Sequence, residues 1–327
     1  MHYADTETPA ITRRKLRGHW AYYQADGERI TDRAEIDRLN AIGLPPAYEN
    51  AWFAPDANSH ILAIGFDARG RRQYRYNPAF VARRDARKFD HCAAFGRDLP
   101  KIRARVEHDL ARRNLTAERA IASVVRLLDS GRIRVGNESY TKENGSFGAT
   151  TLRRRHARLQ GNRLCLKFKA KSGKQCLLTV TDRRLIRFVR QMQELPGQRL
   201  FQYRDAGGEF HPIRSSEVNA YIHETMGEEY TAKDFRTWRA SVLAFEYLME
   251  AGDGPRLKGM LAHVAEHLCN TPAIARKSYI HPALIELAKT GKGRKLPAKL
   301  PRATRWLSPG ERGFLAFIQP RKHRSLQ

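Results

Sequence analysis

The chain has 327 residues, 41% of them hydrophobic, which is enough for two domains with cores of their own. Its 60 Lys and Arg against 34 Asp and Glu leave a formal charge of +26, spread through folded-looking segments, which calls for a polyanionic partner such as DNA or RNA. The sequence has no apolar run of about 18 residues, no signal peptide and no isolated basic amphipathic helix, so a soluble intracellular protein is expected and a membrane partner is not.

The first folded segment runs from Trp20 to about Asn77 and reads as a small α+β unit. WAYYQADGERI predicts a hairpin with Asp26-Gly27 at its turn. DRAEIDRLNAIG predicts a short helix closed by Gly43, and Leu44-Pro45-Pro46 then breaks the chain. HILAIGFDARGRRQYRY predicts a second hairpin turning at Ala68-Arg69-Gly70. From Asn77 to Lys88 the residues are polar and basic, as suits a linker.

Helical periodicity dominates the rest of the chain. LPKIRARVEHDLARRN and TAERAIASVVRLLDSG are amphipathic, and the second ends on Gly131. RIRVGNESYTKENGSFGATTL is dense in Gly, Asn, Ser and Thr and predicts an ordered, donor-rich loop entered by Arg132 and Arg134. In RLCLKFKAKSGKQCLLTVTD, Leu164, Leu166 and Phe168 alternate with polar residues before AKSGK turns the chain. That pattern predicts an antiparallel hairpin with lysines at its tip. Helices resume at DRRLIRFVRQMQEL, SEVNAYIHETMG, KDFRTWRASVLAFEYLMEAG and GMLAHVAEHLC. The basic, Gly- and Pro-punctuated KTGKGRKLPAKLPRATR reads as a mobile electrostatic arm. The whole is α+β: a β-rich N-terminal domain (1–83) and a larger, mainly helical domain (84–327) carrying a small hairpin sheet. Cys92, Cys165, Cys176 and Cys269 form no CxxC pair and no zinc-finger spacing with His, so they read as reduced thiols and no metal site is expected.

Two stretches suggest chemistry. Thr231 and Asp234 have capping-box spacing, which starts a helix near Ala232 and puts Arg236 in its first turns. Arg236 can hold a phosphate there, or pair with a surface carboxylate. In NTPAIARKSYIHPAL, Thr271-Pro272 opens one helix and His281-Pro282 another, so Tyr279 lies at their junction. That position can expose its hydroxyl or plug a helix seam.

Taken together, Arg134, Lys171, Arg236, Asn270 and Tyr279 suit one reaction, attack on a phosphodiester by a protein hydroxyl without a metal. Guanidinium forks neutralise the five-coordinate phosphorus. The amide donates to a non-bridging oxygen, and the lysine protonates the leaving sugar oxygen. A phenol ionises near pH 10 when free, so a cationic cluster is needed to favour the nucleophilic phenolate.

DARGRRQYRY, RIRVGNESYTKEN, KFKAKSGK, KDFRT and NTPAIARKSY together resemble the poxvirus-like bacterial branch of the type IB DNA topoisomerases, from about Trp20 to Leu287. The resemblance implies that Tyr279 forms a 3′-phosphotyrosyl bond and that Arg134 and Arg236 stabilise the transition state. Lys171 matches the general acid on the hairpin, with Lys174 a second candidate. Asn270 stands where many relatives carry histidine, which suits a donor to phosphate and not an obligatory acid or base. Tyr140 resembles a contact to the DNA backbone near the cleavage point. Gln73, Tyr74 and Tyr76 match a hairpin lying along DNA, although alternation leaves open that one of the tyrosines belongs to the core of the sheet. A monomer closing around duplex DNA is implied, working in the cytoplasm at the nucleoid and needing neither ATP nor a small-molecule cofactor. Two other readings stand beside this one. A tyrosine recombinase or integrase would share the chemistry, but it would place His ahead of the second arginine, where Lys233 stands here. A non-catalytic DNA-binding protein would suit the charge equally.

Overall fold

The structure, a computed structural model, describes residues 1–251, 256–291 and 295–319, and only the backbone of residues 85–88. The chain divides into two compact units, Met1–Lys88 and Phe89–Gln327. The α+β class expected from the sequence is what is observed, with a β-rich first unit and a mainly helical second.

The first unit is built on β1 (Ile11–Leu16), β2 (His19–Tyr23), α1 (Arg33–Ala41), β3 (Glu49–Phe53), β4 (Ile61–Phe66) and β5 (Arg72–Tyr76). The strands form one antiparallel sheet in the order β2-β1-β3-β4-β5. Its core is Ile11, Tyr22, Ile30, Leu39, Leu44, Phe53 and Ala63. The Asp26-Gly27 turn forms, but it closes only a single bridge, Tyr23 to Arg29. The full hairpin lies one strand earlier, where Arg17 and Gly18 turn the chain with φ of 48° and 88°. The basic β1 was hidden by its composition. Arg13 on it donates to the carbonyls of Leu44, Pro45 and Tyr48 and stacks 4.2 Å over Trp20, so a strand that reads as polar is anchored on its inner face.

The linker expected from Asn77 to Lys88 is instead the start of α2 (Pro78–Leu110). The Asn77 side chain accepts from the Ala79 amide and Pro78 takes the first helical position, which is a strong start. The Ala and Arg residues that look like a linker are also good helix formers.

The second unit continues with α3 (Ala117–Asp129), α4 (Glu138–Asn144), β6 (Ala157–Gln160), β7 (Arg163–Lys169), β8 (Gln175–Val180), α5 (Arg183–Glu194), β9 (Gln202–Arg204), β10 (Phe210–Pro212), α6 (Ser215–Met226), α7 (Ala232–Glu250), α8 (Leu257–His267), α9 (Pro272–Ser278), α10 (Pro282–Thr290) and α11 (Pro309–Ile318). The lysine-tipped hairpin is β7–β8, with β6 added on its outer edge. The loop expected after Gly131 contains α4, capped by Asn137 and closed by left-handed Gly145. Buried α7 is the hub and packs against α3, α6, α8, α10 and α11.

The mobile arm expected at residues 289–305 also needs correction. Residues 292–294 lie outside the described residues. Beyond them Leu296 and Leu307 pack on the core and lead into α11, whose start is a capping box between Ser308 and Glu311. The Glu311 carboxylate accepts from Arg103 at 2.6 Å and from the Trp238 indole at 3.2 Å, and Arg103 also pairs with Asp129 at 2.8 Å. Phe314 lies against Trp238 and Phe245. A basic tail is thus tied down by one buried carboxylate and an apolar helix beyond it.

Candidate active site

Arg236 occupies the second turn of α7, which begins with the expected capping box between Thr231 and Asp234. Its side chain points inward and is 2% exposed. One Nη donates to the Gly131 carbonyl and the other to the Leu268 carbonyl, each at 2.8 Å. Gly131 follows the end of α3, and Leu268 is the C-cap of α8. The guanidinium therefore sits on the negative ends of two helices. No carboxylate pairs with it among the described residues. Gly131 must be glycine, because it turns at φ +70° and a Cβ would lie 2.4 Å from the Cβ of Arg239.

Asn270 and Tyr279 come from the segment after α8. The chain turns through Cys269 at φ 50°, Thr271 caps α9 through the Ile274 amide, and Tyr279 ends that helix. Buried Ser241, five residues beyond Arg236 on α7, holds the junction. Its hydroxyl donates to the Tyr279 carbonyl at 3.2 Å and accepts from the His281 amide at 3.0 Å. His281 then caps α10. One helix thus fixes both Arg236 and the backbone of Tyr279.

Of the two positions left open for Tyr279, the structure shows elements of both. The residue is 9% exposed, yet its ring faces the guanidinium of Arg236, with Cζ 5.1 Å from the ring centroid. Burial raises the phenol's pKa, but the charges of Arg236 and Arg134 and the hydrogen bonds they make pull it further down, so it lies below the ordinary tyrosine value. Burial and the like charge of Arg134 lower Arg236 in turn, to about 10.

Arg134 lies on the segment after α3, where Ala149 and Thr150 pair with its carbonyl and that of Val135. Its Nη2 donates to Asn270 Oδ1 at 2.6 Å. That orients the amide so that Asn270 Nδ2, which is buried, has no partner among the described residues. Arg236 Nε is likewise unpartnered. These two donors, near the phenol that Arg236 faces, are chemically able to donate to the oxygens of an anion.

The hairpin tip brings its two lysines to different places. Lys171 lines a cleft of about 470 Å³ together with Arg134, Asn137, Tyr140 and Phe147, and its Nζ lies 5.6 Å over the Tyr140 ring. Lys174 instead donates to the Asn270 carbonyl at 2.5 Å. Ser241 and the Lys174 anchor were not foreseen. The only signal for the first was a serine set among the apolar residues of SVLAF. The second has no local signal.

In the first unit, Tyr74 and Tyr76 are both exposed, at 40% and 39%, so neither plugs the core of the sheet. Their rings stack at 5.9 Å, Phe80 extends the stack, and Arg72 and Arg84 lie over Tyr74 and Tyr76. Gln73 is on the opposite face and donates to Asp67. Among the described residues no group of three or more His, Cys, Asp or Glu is placed to hold a metal, and no helix is long and apolar enough to cross a membrane.

Residues 77–286 match the family model for the catalytic core of eukaryotic DNA topoisomerase I, and residues 19–67 match that for the N-terminal domain of bacterial DNA topoisomerase IB. The chain is 31% identical over 291 residues to DNA topoisomerase 1B of Acanthamoeba polyphaga mimivirus, covering 85% of this chain and 87% of that one. This chain belongs to the type IB DNA topoisomerase family. It is accordingly an isomerase, and of the readings open from its sequence neither the recombinase nor the non-catalytic binder is retained. A second type IB relative, DNA topoisomerase 1B of Vaccinia virus strain Copenhagen, is 22% identical over 74% of this chain and 76% of its own. Among solved structures, the XerH site-specific recombinase bound to its difH substrate aligns over 60% of this chain and 53% of its own, with a TM-score of 0.35 and 14% identity.

Proposed function

We propose that this type IB topoisomerase relaxes supercoiled duplex DNA by cutting one strand with Tyr279, holding the 3′-phosphate as a phosphotyrosine while the duplex swivels, and resealing it. The observation that carries the reading is the phenol of Tyr279 held between the guanidiniums of Arg134 and Arg236, with its pKa lowered. Ionised Tyr279 attacks phosphorus. Arg236 through Nε, Asn270 through Nδ2 and Arg134 through its fork then donate to the non-bridging oxygens as charge builds on them. Two of these donors have no other partner among the described residues, which supports the assignment.

Lys171 is the candidate acid for the departing 5′-oxygen, because it shares the open cleft with Arg134 whereas Lys174 is committed to the Asn270 carbonyl. Tyr140, in the same cleft, contacts the backbone near the break. Tyr74 and Tyr76 of the β-rich domain provide further DNA contacts through their exposed stack, whereas Gln73, on the opposite face and bonded to Asp67, lies off that surface; the protein works as a monomer. The phosphotyrosine conserves the bond energy, so ATP is not consumed, and the cations supply the charge a metal otherwise would. The working place is the cytoplasm, at the nucleoid.

Supercoiled plasmid incubated with the enzyme in excess EDTA without ATP should relax, and Tyr279→Phe should abolish both relaxation and the denaturation-stable adduct while keeping DNA binding. A plasmid left supercoiled by the wild-type protein, or an adduct mapped to another residue, would overturn the reading.

A further inference from the structure

Cys176 and Cys269 are 93 residues apart in sequence, yet their sulfurs lie 2.9 Å apart. Cys176 is on β8, opposite Phe168 of β7, and is fully buried. Cys269 is partly exposed and lies in the left-handed turn immediately before Asn270. The two thiols therefore join the strand that follows the lysine-bearing tip to the segment that presents Asn270 and Tyr279. We propose that they form a reversible redox modification site, a disulfide-forming pair through which peroxide slows strand cleavage; the effect on cleavage rests on the catalytic roles proposed above.

The two sulfurs are not equivalent. The hydrogen bond from Cys176 favours the thiolate of Cys269, burial opposes it, and the charges of Arg132, Arg236 and Arg134 favour it again, so the Cys269 thiol is lowered while that of Cys176 is raised. Cys176 thus keeps its proton, and the two sulfurs stay in contact at 2.9 Å. A partly exposed thiolate with a resolving thiol in contact is the arrangement that peroxide oxidises selectively. Cys269 attacks hydrogen peroxide and the O–O bond breaks. The departing hydroxide takes a solvent proton to become water, and Cys269 is left as a sulfenic acid. The Cys176 sulfur then displaces that hydroxyl, which leaves with the Cys176 proton as a second water. Two thiol sulfurs are each oxidised by one electron, and the peroxide is reduced by two.

Forming the bond draws the sulfurs together by about 0.9 Å, to the ordinary disulfide length of about 2.05 Å. Cys176 is fixed in a strand of the sheet, so the movement falls on the Cys269 turn and on Asn270 beside it. Asn270 holds Arg134 at 2.6 Å and Lys174 at 2.5 Å. A shift of about 1 Å in a positioning group can cost about a hundredfold in rate.

The test treats the full-length enzyme with hydrogen peroxide, maps its disulfides by mass spectrometry of non-reduced peptides, and measures single-turnover cleavage of a duplex oligonucleotide before oxidation, after it, and after dithiothreitol. A Cys176–Cys269 peptide pair, a fall of about tenfold to a hundredfold in cleavage rate and its recovery with dithiothreitol are expected. Cys176→Ser should cleave at the wild-type rate and ignore peroxide. Failure to find the 176–269 pair in the wild-type protein overturns the proposal, as does an oxidised enzyme that cleaves at the reduced enzyme's rate. A reduced enzyme that never cleaves would count against the catalytic reading instead, while the peptide map still decides whether the thiols pair.

Discussion

Replacing Arg236 by glutamine tests whether its charge or only its packing matters. Arg236 clamps the carbonyls of Gly131 and Leu268, and its charge pulls down the phenol of Tyr279. A glutamine amide can recover one of the two carbonyls, and the other is left buried and unpaired at a cost of about 1–3 kcal/mol. For a domain of this size that lowers Tm by about 2–12 °C. Loss of one preorganised donor to the developing oxyanion costs about 10²–10³ in rate. Losing the cation also lets the phenol return toward its ordinary, higher pKa, because the attraction that overcame its burial is gone. The deprotonated fraction at neutral pH then falls, and the pH–rate inflection moves up. Single-turnover cleavage of an oligonucleotide with a 5′-bridging phosphorothiolate isolates this step, since its leaving group needs no proton. The expected result is a rate at least about a hundredfold lower at neutral pH, partly regained as pH rises, in a protein that still melts cooperatively. A rate within tenfold of wild type, or an inflection that stays put or moves down, would refute the electrostatic argument.

Three further substitutions separate the other roles. Lys171→Ala should slow cleavage of an ordinary oligonucleotide by about 10²–10⁴ and be rescued by the phosphorothiolate, whereas Lys174→Ala, which frees the Asn270 carbonyl, should slow both substrates by the same factor. Ser241→Ala removes the hydrogen bonds to the Tyr279 carbonyl and from the His281 amide together; denaturant titration should show a loss of about 1–3 kcal/mol, and the cleavage rate at saturating DNA should fall as well. Tyr74→Ala and Tyr76→Ala should weaken duplex binding in an equilibrium assay while leaving the saturating cleavage rate unchanged, because both rings are exposed and belong to the first unit, whereas the residues assigned to the chemistry belong to the second.

Elements with strong local punctuation were legible in the sequence. The capping box at Thr231 and Asp234, the Thr271-Pro272 and His281-Pro282 helix starts and the AKSGK turn are all where their residues put them. The features that were not legible depended on partners distant in sequence. The basic β1 reads as surface until Arg13 finds the carbonyls of Leu44, Pro45 and Tyr48, 31 to 35 residues away. The α2 start reads as linker because basic residues suit both a linker and an exposed helix. The tail reads as an arm because the residues that hold it, Arg103 and Trp238, lie far upstream. In the site, the sequence pointed to Arg134, Lys171, Arg236, Asn270 and Tyr279, with Lys174 a second candidate for the lysine, but it did not show what either lysine touches. That depends on the backbone of the tip, where Ser172 turns at φ 64° and sends its neighbours to different partners.

The way Arg236 is buried bears on why such a site needs no carboxylate. A buried cation is ordinarily paired with an acid, as Arg103 is here with Asp129 and Glu311. Such a pair satisfies the guanidinium's hydrogen bonds but also cancels its charge, leaving little field for a phosphate. Arg236 is held by the Gly131 and Leu268 carbonyls, at the ends of α3 and α8. Those carbonyls take one hydrogen bond from each Nη with partial charges only, and leave Nε without a partner among the described residues. Its net positive charge remains, turned toward Tyr279. The same arrangement explains why its pKa is lowered while that of Arg103 is raised, since both are deeply buried and only one has acids beside it. The protein thus tolerates an incompletely compensated cation in its interior; in the reaction proposed above, the scissile phosphate supplies the missing negative charge beside the phenol.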